Sequence, residues 1–451
     1  MNREIALLIA AAFLVTASYA GSPGIHFIDG QAGYSGARSL SLAGAVTASP
    51  DVHSALQVNP AGLGVIKQSS VYGSFLNNQI SDENEIYGDA SEASDGFSGL
   101  SNLGMTLSMP TARGSLVFGV SYHRARQLDE LFSAHWLGIG SGNVYEETID
   151  LEDVEKFADL YNEGFLSRTA IGGAVEVSPG LFLGGSAIFW SGHKDYSLLF
   201  DRLRGLYTLN FTDGSVEDRV FPNLYETQTY HERYSGFNLS GGFHYQIHPQ
   251  FSIAGSIETP VTIKAERDWT YEFWEDYEPY LDLIDLSPDS LPAPYYDEGP
   301  IDYKIQKPWT VRLGGLFEKG PVQLSADAVW TDYSQMKYKT DPPVDGSTEL
   351  MANREIRLNY QSVMEMHAGA QVEIPGSPVV LRGGYAVIPS SLKKGSDTTL
   401  FGLGAGFQLN EQFQIDFGFA QTQWDGPGFD EIAIERVKTN RIQISASYLI
   451  P

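Results

Sequence analysis

The stretch Phe413-Gln414-Ile415-Asp416-Phe417-Gly418-Phe419-Ala420, close to the C-terminus, decides the fold. Apolar residues alternate in it with polar or small ones, and the same alternation returns in Arg441-Ile442-Gln443-Ile444-Ser445-Ala446-Ser447-Tyr448. Successive side chains of a β-strand point to opposite faces of the sheet, so each segment has one apolar and one polar face. Such strands fit a soluble sandwich with an apolar core, or a membrane barrel with lipid outside and a polar lumen.

The N-terminus favours the membrane barrel. Arg3 precedes an apolar run from Ile5 to Val15, and the small-residue site Ser18-Tyr19-Ala20 precedes Gly21. This arrangement predicts that residues 1–20 are a secretory signal peptide, because the apolar run is too short to span a bilayer as a helix. No later stretch has the roughly 18 uninterrupted apolar residues that a membrane helix needs. We therefore expect any membrane crossing to be made by strands.

Charge and cysteine content narrow the class of protein further. The 451-residue chain has a net charge of −27 and no Cys. An exported protein without disulfides has to be held together by its backbone hydrogen bonds rather than by cross-links. Acidic residues are concentrated in predicted loops such as 78–101, and an acidic surface repels nucleic acid. We expect no nucleic-acid partner and interpret the acidic loops as a solvated exterior.

The alternating segments number fourteen, and the connections between them are short and long by turns. The predicted strands are 68–77, 102–109, 115–124, 166–177, 181–192, 236–247, 251–265, 309–317, 322–330, 362–373, 379–387, 399–409, 413–423 and 438–449. Short turns on one side and long loops on the other are typical of outer-membrane barrels. The sequence thus predicts an all-β protein of the bacterial outer membrane, in which residues 68–451 form a 14-stranded antiparallel transmembrane β-barrel with long extracellular loops.

Charged residues fall on the predicted inward face of this barrel. By strand count they include Arg312, Glu365, His367 and Arg382. A charge in the lumen is surrounded by protein or water instead of lipid, which keeps its energetic cost low. Glu365 and His367 are two residues apart on one strand face, so we expect them to join a network of lumenal ion pairs.

Residues 21–67 interrupt the strand pattern. This segment is rich in Gly, Ala and Ser and contains Asn59-Pro60-Ala61-Gly62-Leu63. It is either a disordered periplasmic tail or a plug packed within the barrel. Small residues allow close packing, and Asn59 before Pro60 favours a turn or an extended conformation. A disordered tail is expected to be more polar, so we predict an N-terminal hatch over residues 21–67.

The run from Gly36-Ala37-Arg38 to Gly44-Ala45, followed by Asn59-Pro60-Ala61, resembles the N-terminal hatch of FadL-type outer-membrane transporters of long-chain fatty acids and hydrocarbons. Further matches follow in that family's order: Glu258-Thr259-Pro260, Ala328-Val329-Trp330-Thr331-Asp332-Tyr333-Ser334 and Leu381-Arg382-Gly383-Gly384-Tyr385. The resemblance implies capture of an apolar ligand by the outer loops, an internal site and hatch-gated lateral release through the wall. The hatch and gating residues that it indicates are Arg38, Asn59, Pro60, Ala61 and Gly62.

In that family the third and fourth long loops form an apolar capture groove. The corresponding candidates here are Leu199, Phe200 and Leu203 in the third loop and Trp269, Phe273, Trp274 and Tyr277 in the fourth. Apolar residues in loops that face water indicate either a binding groove or loops that pack on each other. The acidic loops would repel a free carboxylate, so neutral hydrocarbons or other neutral lipids fit as ligands alongside fatty acids.

The sequence offers no convincing catalytic or metal site. It lacks a Gly-x-Ser-x-Gly elbow, and Gly402-Leu403-Gly404-Ala405-Gly406 has no helix after it. His244 and His248 would be about 13 Å apart on a strand, which is too far to share one metal ion. We expect neither an enzyme nor a cofactor.

The leading hypothesis is passive outer-membrane transport of hydrophobic small molecules, by a monomer whose partners are that ligand and the membrane lipid. One alternative is a structural or partner-binding barrel of a secretion or envelope assembly. A general polar-solute porin is a third possibility, which the predicted hatch disfavours.

Overall fold

The structure, a computed structural model, describes residues 34–450 except for 139–140, 145–146, 151–153, 204, 211–215, 222, 277–292, 344–345 and 428–432. The predicted signal peptide and the first part of the predicted hatch lie outside the described residues.

The described strands number twenty-two. In chain order they are β1 (Ser69–Ile86), β2 (Asp89–Met109), β3 (Leu116–Gln127), β4 (Glu130–Gly138), β5 (Ser141–Val144), β6 (Glu147–Asp150), β7 (Val154–Ser178), β8 (Leu181–Leu203), β9 (Gly205–Asn210), β10 (Val216–Phe221), β11 (Asn223–His248), β12 (Phe251–Glu258), β13 (Val261–Asp276), β14 (Tyr295–Lys307), β15 (Thr310–Lys319), β16 (Val322–Asp332), β17 (Lys337–Tyr338), β18 (Ser362–Glu373), β19 (Val379–Ile388), β20 (Thr398–Gln408), β21 (Phe413–Pro427) and β22 (Ala433–Ile450).

A closed barrel wall of fourteen antiparallel strands is built from these elements. The pairs β3 with β4, β12 with β13 and β14 with β15 each occupy one wall position, the two-residue β17 is a short addition beside β14, and β5, β6, β9 and β10 form a separate small sheet. The last strand closes on the first, with β22 paired to β1 from Ser69 opposite Ile450 to Ile86 opposite Ala433. Closure leaves no free edge at this junction, and it confirms the predicted 14-stranded barrel.

The wall is apolar outside and polar inside. Along β21, Asp416 is 3% exposed whereas its neighbour Phe417 is 43% exposed. The same alternation holds on other strands, where Leu313, Leu324 and Met366 are exposed. An outward band of apolar side chains around a polar interior is the surface that a lipid bilayer covers.

Most of the sequence between the predicted strands also forms strands, which differs from the predicted loops. Residues 78–101 continue β1 and β2 as one hairpin, paired up to Ile86 and Asp89. Likewise β7, β8 and β11 run 25, 23 and 26 residues, well beyond the roughly 9–11 that cross a bilayer. Their composition is too polar for the sequence to predict them as membrane strands. They form strands because a neighbouring strand pairs with them in the folded barrel, and the sequence pattern does not reveal that pairing.

The described helices are short. They are α1 (Ala37–Ser41), α2 (Ala55–Val58), α3 (Gly62–Ile66) and α4 (Glu349–Asn359), with a 3-10 turn at Tyr333–Gln335. None of the helices in the described ranges is long and apolar enough to cross a membrane. Helices α1, α2 and α3 belong to the segment before β1, and α4 lies between β16 and β18.

Residues 34–66, which precede the wall, contact its inner face. Helix α1 packs against β19 to β22, whereas α2 and α3 pack against β3, β7, β8 and β11. Nearly all side chains of α1 to α3 are buried, including Leu40, Leu56 and Leu63. The described part of the predicted hatch thus lies among the inward-facing side chains of the barrel.

Candidate functional site

Asn59 fixes the turn between α2 and α3. Its side-chain amide donates hydrogen bonds to the carbonyl oxygens of Phe243 on the wall (2.9 Å) and of Thr47 (3.3 Å). Its Oδ1 accepts a hydrogen bond from the backbone N–H of Ala61 at 3.2 Å. The side chain is 1% exposed, so each of these bonds satisfies a buried polar atom. Pro60, Ala61 and Gly62 are buried beside it.

Two wall glycines let this turn approach the barrel. A Cβ atom added at Gly184 would lie 2.5 Å from the carbonyl carbon of Pro60 and from the backbone nitrogen of Ala61. Gly242 faces the side chain of Asn59 just as closely. Because real Cβ atoms do not come so near to other atoms, only glycine allows the segment and the wall this close a contact.

Arg38 ties α1 to the rest of the segment and to the wall. Its guanidinium donates to the carbonyl oxygen of Ser49 at 2.6 Å, to Ser49 Oγ at 2.5 Å and to Gln371 Oε1 at 3.3 Å. Gln371 also accepts a hydrogen bond from Arg382 at 2.9 Å. Arg38 and Arg382, which the sequence assigned to the hatch and to the lumen, therefore share one wall residue.

All four predicted lumen residues lie on the inward face. Arg382 forms a buried ion pair with Asp416 at 2.6 Å. His367 contacts the carbonyl oxygen of Ala43 through Nδ1 at 2.7 Å and Glu365 through Nε2 at 3.3 Å. Arg312 is half-buried on β15 opposite Ser256 and Val329. Glu365 and His367 thus pair as the sequence predicts.

An apolar cluster lines the inner face of the strand extensions above the lipid-facing band. This upper cluster consists of Ile86, Phe132, Ala134, Trp136, Ala158, Leu160, Tyr196, Leu198, Phe200, Leu224 and Tyr230, with Trp269 and Phe273 packed against it. Phe200 is 6% exposed, whereas Trp269 and Phe273 keep part of their surface exposed at its edge. The cluster therefore presents an apolar rim within a water-facing part of the barrel.

The seven predicted groove residues do not share one surface. Phe200, Trp269 and Phe273 belong to the upper cluster. Leu199 is 38% exposed on the opposite face of β8, and Trp274 stacks on Tyr225 at 5.1 Å. The side chain of Leu203 and the whole of Tyr277 lie outside the described residues. The groove prediction treated these segments as loops, but strands direct neighbouring residues to opposite faces.

A layer of charged and aromatic side chains begins at Tyr196 and Tyr230, the lower members of the upper cluster, and continues below them. Tyr196 and Tyr230 stack at 4.2 Å, and the guanidinium of Arg267 lies 4.0 Å from the centroid of the Tyr230 ring. Glu232 accepts hydrogen bonds from Arg267 (2.7 Å) and from the hydroxyl of Tyr303 (2.8 Å). Buried charges are stable only when paired in this way. Along β11, Glu232 lies between Leu224 of the upper cluster and Gly242 beside Asn59, so the layer separates the upper cluster from the lower lumen.

Glu226 places a carboxyl group within the upper cluster. It is 2% exposed and lies opposite Phe200 on β8 and Phe273 on β13. Burial raises its pKa to about 7, although a hydrogen bond with Tyr271 acts in the opposite direction. The group therefore titrates near neutral pH, directly opposite two of the predicted groove residues.

The wall has a seam between β2 and β4. Ladder pairing of β2 with β3 stops at Asn102 and His123, and the described pairings continue β2 only with β1 and β4 only with β7. Side chains close the seam at Arg124, whose guanidinium lies 4.1 Å from the centroid of the Phe97 ring and 3.8 Å from that of Phe165.

A cavity of about 150 Å³ lies beside this seam. It is lined by Tyr34, Leu40, Leu76, Ser101, Arg124, Arg126, Gln127, Arg441 and Gln443. Tyr34 and Leu40 come from the N-terminal segment, whereas Arg124 also closes the seam. The cavity therefore connects the segment inside the barrel with the interrupted part of its wall.

Several of these residues escaped sequence reasoning. Glu226, Glu232 and Arg267 stand in segments that looked like loops, so the face to which each points was not predictable. The wall glycines left a weak signal, because Gly184 and Gly242 occupy inward positions of their strands, where most residues carry a side chain. Within the described ranges, no group of three or more His, Asp or Glu side chains could hold a metal ion.

Comparison with known proteins shows the fold. No protein-family model matches the chain, and no curated protein matches its sequence. Among solved structures, a FadL homologue of Pseudomonas aeruginosa aligns with a TM-score of 0.57 and 13% identity, over 94% of this chain and 99% of that one. The toluene transporter TodX of Pseudomonas putida aligns with a TM-score of 0.58 and 12% identity, over 94% of this chain and 99% of that one.

The toluene transporter TbuX of Ralstonia pickettii gives a TM-score of 0.56 and 13% identity, over 92% of this chain and 98% of that one. Identities this low establish a common architecture and leave the ligand open. The protein therefore has the barrel fold of a FadL homologue and of two toluene transporters, in agreement with the resemblance in its sequence.

Proposed function

We propose that the protein is a passive, non-enzymatic outer-membrane transporter of hydrophobic small molecules. The upper cluster is the observation that carries this proposal. Its rim residues Trp269 and Phe273 keep apolar surface exposed above the band that lipid covers. Apolar surface in contact with water is costly, and a hydrophobic ligand that covers it is stabilised by roughly 25 cal/mol per Å².

The lower lumen supports a route inwards. A ligand that leaves the upper cluster meets the layer around Tyr230 and Arg267 and then the N-terminal segment. We infer that this segment is a hatch, held by Asn59 and Arg38, and that ligand leaves sideways through the seam at Arg124. The cavity lined by Leu40 and Arg124 supports this exit, because it joins the segment to the seam.

Neutral ligands fit this route best. Solved structures of the same fold include two toluene transporters and a monoaromatic hydrocarbon channel. In this chain Glu226 lies within the upper cluster, and the chain carries a net charge of −27. Both features disfavour a carboxylate at the entrance. We therefore propose toluene-sized or longer neutral hydrocarbons as the preferred ligands, with long-chain fatty acids as weaker ones.

Adjacent residues on β13 give a matched test. Phe273→Ala removes a rim residue of the upper cluster, whereas Trp274→Ala removes a residue on the opposite face. A fully buried aromatic side chain contributes roughly 1.5–3 kcal/mol. Binding of toluene or an alkane, followed by calorimetry in one detergent, should weaken about tenfold or more in Phe273→Ala and stay near wild type in Trp274→Ala.

Two outcomes would count against transport. Equal losses in both variants would remove the upper cluster from the route. No saturable binding of toluene, an alkane or a fatty acid by the wild type would instead favour the structural or partner-binding barrel. Circular dichroism of all three proteins checks that the barrel is folded in each comparison.

A further inference from the structure

Helix α4 is fixed at the extracellular end of the barrel wall. At its N-terminus, Thr348 Oγ1 accepts a hydrogen bond from the backbone N–H of Met351 at 3.4 Å. At its C-terminus, Lys393 Nζ donates to the carbonyl oxygens of Leu358 (2.6 Å) and Arg357 (3.2 Å). These contacts satisfy terminal groups that a helix leaves without intrahelical partners. The helix is therefore anchored at both ends.

One side of α4 packs on the barrel. Ile356 is 1% exposed and belongs to the same buried cluster as Met336, Tyr338 and Val363. Ala352 packs against this cluster, and Asn353 exchanges hydrogen bonds with the backbone of Tyr338 at 2.7 and 3.0 Å. The remaining surface of the helix thus points away from the barrel.

The part of that surface around Leu350 and Leu358 is apolar and basic, with the exposed Glu355 beyond its edge. Leu350 is 76% exposed, more than any other large apolar side chain in the described ranges, while Met351 and Leu358 are 56% and 53% exposed. At 100° per residue these three share an arc of about 120° with Arg354 and Arg357, both exposed. Such a surface, with apolar residues between cations, is typical of helices that lie on a membrane.

The helix also lies beside the lipid-facing band. It leads directly into β18, where Met364 is 54% exposed on the outer face. Across the ladder Met364 faces Trp330, which is 37% exposed and donates its indole N–H to Ser362 Oγ at 2.8 Å. Trp at the end of a membrane strand marks the interface of the bilayer. Leu358 is therefore only a few residues from the level at which the lipid head groups begin.

We propose that α4 lies on the bilayer, with Leu350, Met351 and Leu358 among the head groups and with Arg354 and Arg357 bound to phosphates of anionic lipids. Charge complementarity favours lipid phosphates at this surface. The chain as a whole has a net charge of −27, but Arg354 and Arg357 expose two cationic guanidiniums here, and such groups bind anionic phosphates. The inference rests on the membrane insertion proposed above and not on any transported ligand.

The absence of Cys from the chain allows single spin labels. Leu350→Cys, Met351→Cys and Leu358→Cys report on the proposed lipid face, and Glu349→Cys is the control on the other side of the same helix. Met364→Cys reports on the lipid-facing wall. Each full-length labelled protein is reconstituted in vesicles, and its exposure to oxygen and to a water-soluble nickel chelate is measured by power saturation.

Labels at 350, 351 and 358 should be more exposed to oxygen and less to the nickel chelate than the label at 349. For the label at 350, this difference should be larger in vesicles that contain phosphatidylglycerol than in phosphatidylcholine alone. Adding Arg354→Gln and Arg357→Gln should abolish the effect of phosphatidylglycerol on the label at 350. The oxygen and nickel exposure of the label at 364 should stay unchanged.

Three results would overturn the proposal. Equal nickel exposure at 349 and 350, with the label at 364 in lipid, would show that α4 faces water. Protection of position 350 from both reagents would indicate a protein partner on this face. A water-exposed label at 364 would remove the insertion on which both proposals rest.

Discussion

Arg124 and Phe97 meet across a part of the described wall where the neighbouring strands β2 and β4 are not paired in a ladder. The guanidinium of Arg124 lies 4.1 Å from the centroid of the Phe97 ring, and Phe165 covers its other side at 3.8 Å. A cation on an aromatic ring is worth roughly 0.5–2 kcal/mol, far less than the ladder it replaces. We therefore predict that this contact opens without unfolding of the barrel.

Cross-linking of the seam tests whether it is the exit. With Phe97→Cys and Arg124→Cys joined by a short, reducible bifunctional reagent, uptake of a neutral hydrocarbon into vesicles should fall and recover on reduction. The two single-Cys variants, treated alike, control for the reagent. Unchanged uptake at complete cross-linking would place the exit elsewhere in the wall.

Asn59 should stabilise the N-terminal segment, because its buried side chain hydrogen-bonds both to that segment and to the wall. Asn59→Ala removes the donor to Phe243 and Thr47 and the acceptor for Ala61, all within a buried site. Leaving buried polar groups unsatisfied costs about 1–3 kcal/mol. We expect faster proteolysis between residues 36 and 62 and altered hydrocarbon uptake in a folded barrel. Wild-type cleavage rates would mean that the other contacts hold the segment alone.

The close contact at Gly184 predicts a steric effect. Gly184→Val would force the wall against Pro60 and Ala61, whereas Gly315→Val, with no atom within 4 Å of an added Cβ, serves as the control. Overpacking typically costs about 1–3 kcal/mol. Thermal unfolding should therefore shift downward in Gly184→Val only. A similar shift in both variants would point to strand propensity instead of contact with the segment.

Glu226 predicts a dependence on pH. Burial raises its pKa from the usual 4.5 to about 7, so the folded protein holds this proton more tightly than the unfolded chain. Its contribution to stability is therefore greatest below pH 4.5 and declines as the pH rises to about 7. Above that pH a carboxylate stands among the apolar residues of the upper cluster, and hydrocarbon binding should weaken.

Titration of hydrocarbon binding from about pH 5.5 to about pH 8.5 checks this expectation. Glu226→Gln keeps the shape of the side chain without its charge, so its binding should be independent of pH in this range. A decline of the same size in the variant would assign the effect to another group, such as Asp82, whose pKa burial raises to about 6.

The wall was predictable because its pattern is local. Residues such as Phe417 and Asp416 alternate in sequence as they alternate between lipid and lumen, and each tight turn carries its own turn residues. The pairing of Glu365 with His367 followed from the same two-residue period. No long-range information was needed for either.

The half of the barrel that carries the long strand extensions was not predictable in this way. Leu199 and Phe200 are neighbours in sequence, yet only Phe200 enters the upper cluster, because β8 continues through the segment that composition marked as loop. Polar strands above the membrane carry no hydrophobic period, so only the partner strand fixes which residues face inwards.

The sequence by itself determined the number of wall strands, which face of each strand is apolar and which is polar, and the small-residue segment ahead of the wall. These features follow from patterns within a few residues. Tertiary structure decided where Asn59 and Arg38 anchor that segment, which aromatic residues meet above the lipid band and where the wall is interrupted. Such contacts join residues hundreds of positions apart, and their energies depend on the closed barrel that brings those residues together.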